Sequence, residues 1–385
     1  MKLNNVLLTL MLVTGIAQAD VQSNMAEALL TAELRGSEGN KEAEIDVLIK
    51  KIDTIGYSTV AVNKHLETHY YNKFQEKNVE MLSFFSMLNK EKIRPLLLAN
   101  PDFGAYTPFN FLVYKTLDTG FDNNTWYGHL DSDTMLDIIG AKDEGNKKAF
   151  KEMVSDLDTL VKKELNPEHT KRFEHTKPLP KNGLIKFVKT FEATDDIETF
   201  MEEFIMDHDG NFAKRNFIIA GFIDMKFEYD DMELEFEKYD AYWVSLLCHF
   251  EFSNAIFNRG VPEGGMFAPC SVYFYIPKGT NELHVGYASV DNWVNALNFR
   301  DQKRIDYMKT IDNEVQKAFE EMGFVKVASA GNTSGKVVPK ANTSAVKVIS
   351  PDNKSNTELE TLKKELAKAK SELETLKQKI KGLLE

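Results

Sequence analysis

Pro101-Asp-Phe-Gly-Ala-Tyr-Thr-Pro108 and Pro262-Glu-Gly-Gly-Met-Phe-Ala-Pro269 are one pattern, Pro-x-x-Gly-x-x-x-Pro, met twice in the chain. The same offset carries Phe111-Leu-Val-Tyr114 onto Val272-Tyr-Phe-Tyr275. After a shorter loop, Gly128 falls on Gly286 and Asp133 on Asp291, and the helix-like Met135–Ile139 lands on Trp293–Leu297. A long amphipathic segment closes both halves. Each match has a physical sense. The prolines flank a turn and open a strand, where a missing N–H is tolerated. The glycines suit a positive φ or a close backbone approach. Asp133 and Asp291 suit the N-cap of the helix that follows. Matches in register with one element order point to a tandem repeat.

Working outward, the first half predicts helices over 21–34 and 41–52 and a strand at Ser58-Thr-Val-Ala-Val-Asn63. A helix over 66–75, strands over 81–88, 93–99, 109–116 and 125–130, and helices over 133–139 and 147–165 follow. Pro167, Pro178 and Pro180 mark residues 166–183 as a linker. The second half predicts strands over 184–191, 217–227, 241–250, 271–276 and 283–288, with helices over 195–206, 291–297 and 302–322. The expected fold is α+β: two repeated β-rich domains with flanking helices, at 53–165 and 184–325. They are preceded by an N-terminal helical segment, 20–52, and followed by a flexible linker and a C-terminal coiled coil.

The ends of the chain carry their own signals. Residues 1–19 read as a signal peptide: Lys2, an apolar run from Val6 to Ala17, and Ala17-Gln18-Ala19 as a cleavage site. The run is too short to span a bilayer, so no transmembrane segment is expected in the mature chain. Residues 326–356, rich in Ser, Thr, Asn, Gly and Lys, form a linker that cannot bury a core. In 357–385 an unbroken heptad seam places Leu359, Leu366, Leu373 and Ile380 at a, and Leu362, Ala369, Leu376 and Leu383 at d. Glu358, Glu365 and Glu372 at g can reach Lys363, Lys370 and Lys377 at e of a neighbour, so a parallel self-association is expected. A lone helix of this length is marginal in water.

The 385 residues carry a formal net charge of -12 and 43% apolar side chains. Phosphate would repel such a chain, which argues against nucleic-acid binding. No phosphate-cradling glycine loop, His-Glu-x-x-His or Gly-x-Ser-x-Gly motif occurs. Asp207-His208-Asp209-Gly210-Asn211 lacks the spacing of a calcium loop and reads as a helix-ending turn. His129 reads as a surface histidine. Cys248 and Cys270 are the only cysteines. With His249 and His284 they form the candidate metal set, for zinc, copper or haem, against the simpler reading of small buried thiols; a disulfide between them is a further alternative.

Ala268-Pro-Cys-Ser-Val-Tyr-Phe-Tyr275, a turn at Lys278-Gly279 and Leu283-His-Val-Gly-Tyr-Ala-Ser-Val290 resemble the core of domain-of-unknown-function family 302. In the first half Ala99-Asn100-Pro101 resembles that family's Asn-Pro turn, and Thr107-Pro108-Phe109-Asn110 its strand entry. The family's two cysteine positions are Ala99 and Phe109 there, so only Cys270 matches. The resemblance implies an α+β fold and names no activity, cofactor or ligand. The expected function is an exported, periplasmic or secreted, oligomeric binding protein of unknown ligand. The alternatives are an envelope redox or metal-handling protein using Cys248 and Cys270, or a purely structural oligomer.

Overall fold

The computed structural model describes residues 28–328 except 118, 119 and 121. The signal peptide, most of the 326–356 linker and the whole coil seam lie outside the described residues.

The first half runs β1 (Leu29–Glu38), α1 (Glu42–Ile49), β2 (Ser58–Asn63), α2 (Leu66–Phe74), β3 (Val79–Leu88), α3 (Lys90–Ala99), β4 (Phe109–Thr116), β5 (Asn124–Gly128), α4 (Ser132–Ile139), α5 (Glu144–Leu165) and β6 (His169–His175). The second runs β7 (Leu184–Thr190), α6 (Ile197–Ala213), β8 (Phe217–Asp224), α7 (Met225–Asp231), β9 (Tyr239–His249), α8 (Phe250–Ser253), β10 (Cys270–Pro277), β11 (Glu282–Ala288), α9 (Val290–Ala296), α10 (Gln302–Glu321) and β12 (Val325–Lys326). Each half builds a six-stranded antiparallel sheet. The strand orders, β2-β3-β4-β5-β1-β6 and β8-β9-β10-β11-β7-β12, are the same topology. Even the irregularities recur: β2 slips against β3 between Thr59 and Ala61, and β8 slips against β9 between Ile219 and Gly221.

Several expectations are corrected. The segment from Leu29 to Glu38 is strand, not helix, so among the described residues of 20–52 only the second expected helix, observed as Glu42–Ile49, is α-helical. Its Leu, Ala and Glu favour helix locally, but Ala32 and Leu34 alternate into the core and the ladder to β5 and β6 overrides propensity. The 166–183 linker contains β6, which pairs with β1 along seven registered residue pairs. The repeat unit therefore starts earlier and ends later than 53–165. Residues 93–99 belong to helix α3, whose N-cap Asn89 Oδ1 accepts from the Lys92 N–H at 3.0 Å; the β-branched Ile93 and Pro95 obscured it. Asp131, not Asp133, caps α4. The Asp207–Asn211 run lies inside α6, with His208 buried against Phe212 and Phe274.

The two Pro-x-x-Gly-x-x-x-Pro stretches form 3-10 turns, Pro101–Tyr106 and Pro262–Phe267, each ending in a cis X-Pro bond at Pro108 and Pro269. Each turn packs on the sheet of the other half. A Cβ on Gly104 would meet Tyr273 Cβ at 2.5 Å on β10, and one on Gly265 would meet Phe84 Cε1 at 2.5 Å on β3 and Leu112 Cδ1 at 2.8 Å on β4. Close approach, and not positive φ, is why both are glycine. Polar contacts repeat the exchange. Asn110 Nδ2 donates to Pro269 O at 3.0 Å, and Ser271 Oγ, at the matching position, donates to Pro108 O at 3.1 Å. Asp102 accepts from Tyr273 Oη at 2.7 Å and pairs with Lys186. Glu263, its counterpart, accepts from Tyr114 Oη at 2.7 Å and faces Lys171 at 3.6 Å. One apolar cluster consequently runs through both halves.

Replacing Gly265 by Ala should lower the urea midpoint by an amount equivalent to about 1–3 kcal/mol, the usual cost of overpacking. Gly210, inside α6, has nothing within 4 Å of a built Cβ. There Ala should stabilise by about 0.5–1 kcal/mol. Equal effects at the two positions would contradict the close-approach argument.

Candidate functional site

A cavity of about 40 Å³ lies at the end of the second sheet, bordered by Cys248, Cys270, Val272, Tyr287, Trp293, Asp312 and further apolar side chains. Its wall is contributed by β9, β10, β11, α8, α9 and α10. A smaller void of about 20 Å³ lies beside it, shares Cys270, Ala288 and Trp293 with it, and reaches Tyr106, Pro108 and Asn110 of the first half.

The repeat explains why space is left here. In the first half Met87 stands opposite Phe109; in the second, Leu247 stands opposite Cys270. Cys270 therefore occupies the place of Phe109, and Cys248 that of Leu88. Asp143 caps α5 and Asp301 caps α10. Counted from those caps, Phe150, Met153, Val154 and Leu157 match Met308, Ile311, Asp312 and Val315. The buried Val154 thus becomes Asp312, and His129, after Gly128, becomes Tyr287. Two truncations open the cavity, and one acid is placed in its wall.

The structure separates the four proposed metal ligands. Cys248, His249 and Cys270 border the cavity. His284 pairs across the ladder with Tyr275, five residues along β10 from Cys270, about 17 Å at strand rise. It stacks on Tyr275 at 4.9 Å and faces Glu282 Oε2 at 3.2 Å. His249 accepts the Phe252 N–H at Nδ1, 3.2 Å, as the cap of α8, which occupies one of its two ring nitrogens. Among the described residues no three His, Cys, Asp or Glu side chains are grouped to hold a metal ion. The set of four is corrected accordingly.

The two thiols are free, not a disulfide. Cys270 lies opposite Leu247, so the pleat turns the neighbouring Cys248 to the other face. Burial pushes the Cys248 thiol up to about 11 and, with Cys248 and Asp312 adding to it, Cys270 up to about 12. Both are neutral at pH 7 and poor nucleophiles. Burial also lowers the His249 pKa, so its ring is neutral as well. Asp312 is raised to about 6, first by burial and then by Asp291, against the Val290 N–H, Tyr287 and Lys326. Tyr287 Oη is buried without a hydrogen bond of good geometry, although Asp312 is close enough to hold its pKa well above 10.0 once burial has raised it. Tyr106 Oη is likewise buried and unpartnered.

His129 is buried, which corrects its reading as a surface residue. Its Nδ1 donates to Leu130 O at 2.7 Å and its Nε2 faces Asp158 Oδ1 at 3.2 Å. Burial lowers its pKa, but Asp158 outweighs that and the net shift is upward. In the first half the position is thus closed by the His129–Asp158 contact, where the second leaves Tyr287 and Asp312 beside a cavity.

No family model and no curated protein matches the chain. One similar solved structure is the crystal structure of an uncharacterized conserved protein, DUF302, from Bacillus stearothermophilus. It is 15% identical, with a TM-score of 0.29, and the match covers 35% of this chain and 95% of that one. No described helix is long and apolar enough to cross a membrane.

An acid whose pKa is raised on folding binds more protons folded than unfolded. Its contribution is fully present below about pH 4, the unfolded value, and is lost as pH rises through about 6. Stability should therefore fall by on the order of 3 kcal/mol across that window. Asp312→Val should remove the fall, as read from urea unfolding at several pH values. An unchanged pH profile would show that Asp312 is not the titrating group.

Proposed function

We propose that the chain is a non-enzymatic, exported binding protein, built from tandem family-302-like repeats, that takes a small ligand in the cavity of its second repeat. The observation that carries this reading is the set of substitutions between repeats. At three matched positions the second repeat gives up packing, Leu88 to Cys248 and Phe109 to Cys270, or half-buries an acid in place of a buried valine, Val154 to Asp312. Side-chain truncation in a core and burial of a carboxylate both cost stability. Such departures from good packing concentrate where a protein binds something. An apolar enclosure with a few inward polar groups is the usual form of a small-molecule site.

Neutral thiols on opposite faces of a sheet give little support to the redox alternative. The sequence of 357–385 supports the further proposal that several copies assemble through Leu359, Leu362, Leu366, Ala369, Leu373, Leu376, Ile380 and Leu383, so that the sites act together. The signal-peptide pattern supports a periplasmic or secreted location, and the acidic balance argues against a nucleic-acid partner.

Xenon is a suitable probe of an apolar cavity. Its NMR shift should respond to the wild-type protein, and Cys270→Val, which fills space, should abolish the response while raising the thermal midpoint. A variant that still takes up xenon unchanged would place the binding elsewhere. In sedimentation velocity, the mature chain should run as an oligomer and a chain ending at Val327 as a smaller species; equal masses per particle, allowing for the missing residues, would sink self-association through the coil.

A further inference from the structure

We propose that the cavity of the second repeat is a receptor for the ammonium group of a small alkylamine, with Asp312 as counter-ion and Tyr287 Oη as a second acceptor. This rests on the cavity-binding reading above and names its ligand class.

Three observations carry it. Asp312 is the cavity's one carboxylate, and among the described residues it makes no ion pair. Two lysines nearby are engaged elsewhere: Lys309 pairs with Asp291 at 3.2 Å, and Lys326 on β12, whose charge acts on Asp312, donates to Gln316 Oε1 at 2.6 Å. A half-buried carboxylate whose polar partners are the Val290 N–H at the start of α9 and the Tyr287 hydroxyl, with no cation among them, is an acceptor with capacity to spare. Tyr287 Oη, at 3% exposure, is buried beside it without a well-formed hydrogen bond. An apolar ligand would leave the carboxylate without a counter-ion and Tyr287 Oη with no well-formed partner, at the cost that under-satisfied polar groups carry. A carboxylate ligand would be repelled by Asp312. An ammonium supplies three donors and a compact positive charge. The rest of the wall suits it: Trp293, Phe252 and Phe257 offer aromatic rings, with Trp293 packed against both phenylalanines at 5.6 and 6.1 Å. The thiols of Cys248 and Cys270 add neutral, polarisable contacts and no competing charge.

The charged and titratable groups that face Asp312 are Asp291 on α9, Tyr287 on β11, Cys270 on β10 and Lys326 on β12, and His249 also borders the cavity. Of these, Asp312, raised to about 6, changes charge between pH 5 and 8, and burial holds the His249 ring below its ordinary value. At low pH the carboxylate is lost, so ammonium binding weakens.

The test uses the full chain with propylammonium, 1-propanol and propionate as probes, titrated by calorimetry and by saturation-transfer NMR. At pH 8 propylammonium should bind at least tenfold more tightly than 1-propanol or propionate. Its affinity should fall at least tenfold at pH 5. Asp312→Val, which installs the first repeat's residue, and the isosteric Asp312→Asn should each lose that preference, while Asp312→Val keeps xenon uptake. Equal affinity for propanol or propionate, or undiminished propylammonium binding by either variant, overturns the assignment. Xenon entry without amine preference overturns the ammonium class alone. Failure of both xenon and amine to enter the wild-type protein overturns the cavity reading as well.

Discussion

The structure hangs on a reciprocal exchange: the glycine-bearing turn of each half lies against the sheet of the other, too close for a side chain. Gly104 sits on Tyr242 and Tyr273, and Gly265 on Phe84 and Leu112. Because the halves are related by repetition, one local geometry is used twice, and its hydrogen bonds come in matched pairs. Asn110 reaches Pro269 as Ser271 reaches Pro108. Such self-complementarity is the logic of a two-fold dimer carried inside one chain. It also sets the entry of β4 and β10, since both strands begin directly after the turns. The register of Phe109 and Cys270, and hence the place of the cavity, follows from it.

The repeat itself was legible because it rests on prolines and glycines, whose backbone demands show in sequence without knowledge of partners. What escaped was whatever depended on partners distant in the chain. Residues 29–38 carry helix-forming Leu, Ala and Glu, and become a strand because β5 and β6 flank them. The strand β6 hid behind the prolines around it, and α3 behind Ile93 and Pro95. Once one half was known to begin with a strand at Leu184, the other half had to begin with one too. Consistency between repeats was a stronger signal than local propensity, and it pointed to β1.

The site was half legible. Cys248 and Cys270 were singled out for their chemistry as ligands or redox partners, whereas their consequence is steric: they are small where Leu88 and Phe109 are large. Asp312 left no motif at all. Its signal is a break in an apolar stripe, visible only when α10 is laid over α5 by their caps, where Val154 becomes an acid. His129 and Tyr287 show the same divergence. One half satisfies the position with Asp158, and the other keeps a buried hydroxyl beside a void.

Duplication makes this asymmetry affordable. A domain of this size is stable by a margin of about 5–15 kcal/mol, and a truncated aromatic with a half-buried carboxylate would consume a large part of it in a single repeat. Here the apolar cluster through both halves carries that load jointly. The wall of the cavity is also the wall of the junction: Cys270, Ala288 and Trp293 border both the cavity and the small void against Tyr106, Pro108 and Asn110. Cys270 is followed directly by Ser271, whose hydroxyl binds Pro108 O of the partner repeat. The first repeat, with its positions filled, acts as a rigid back plate, and the second can leave a hole in its packing because the strand that borders the hole is pinned from the other side.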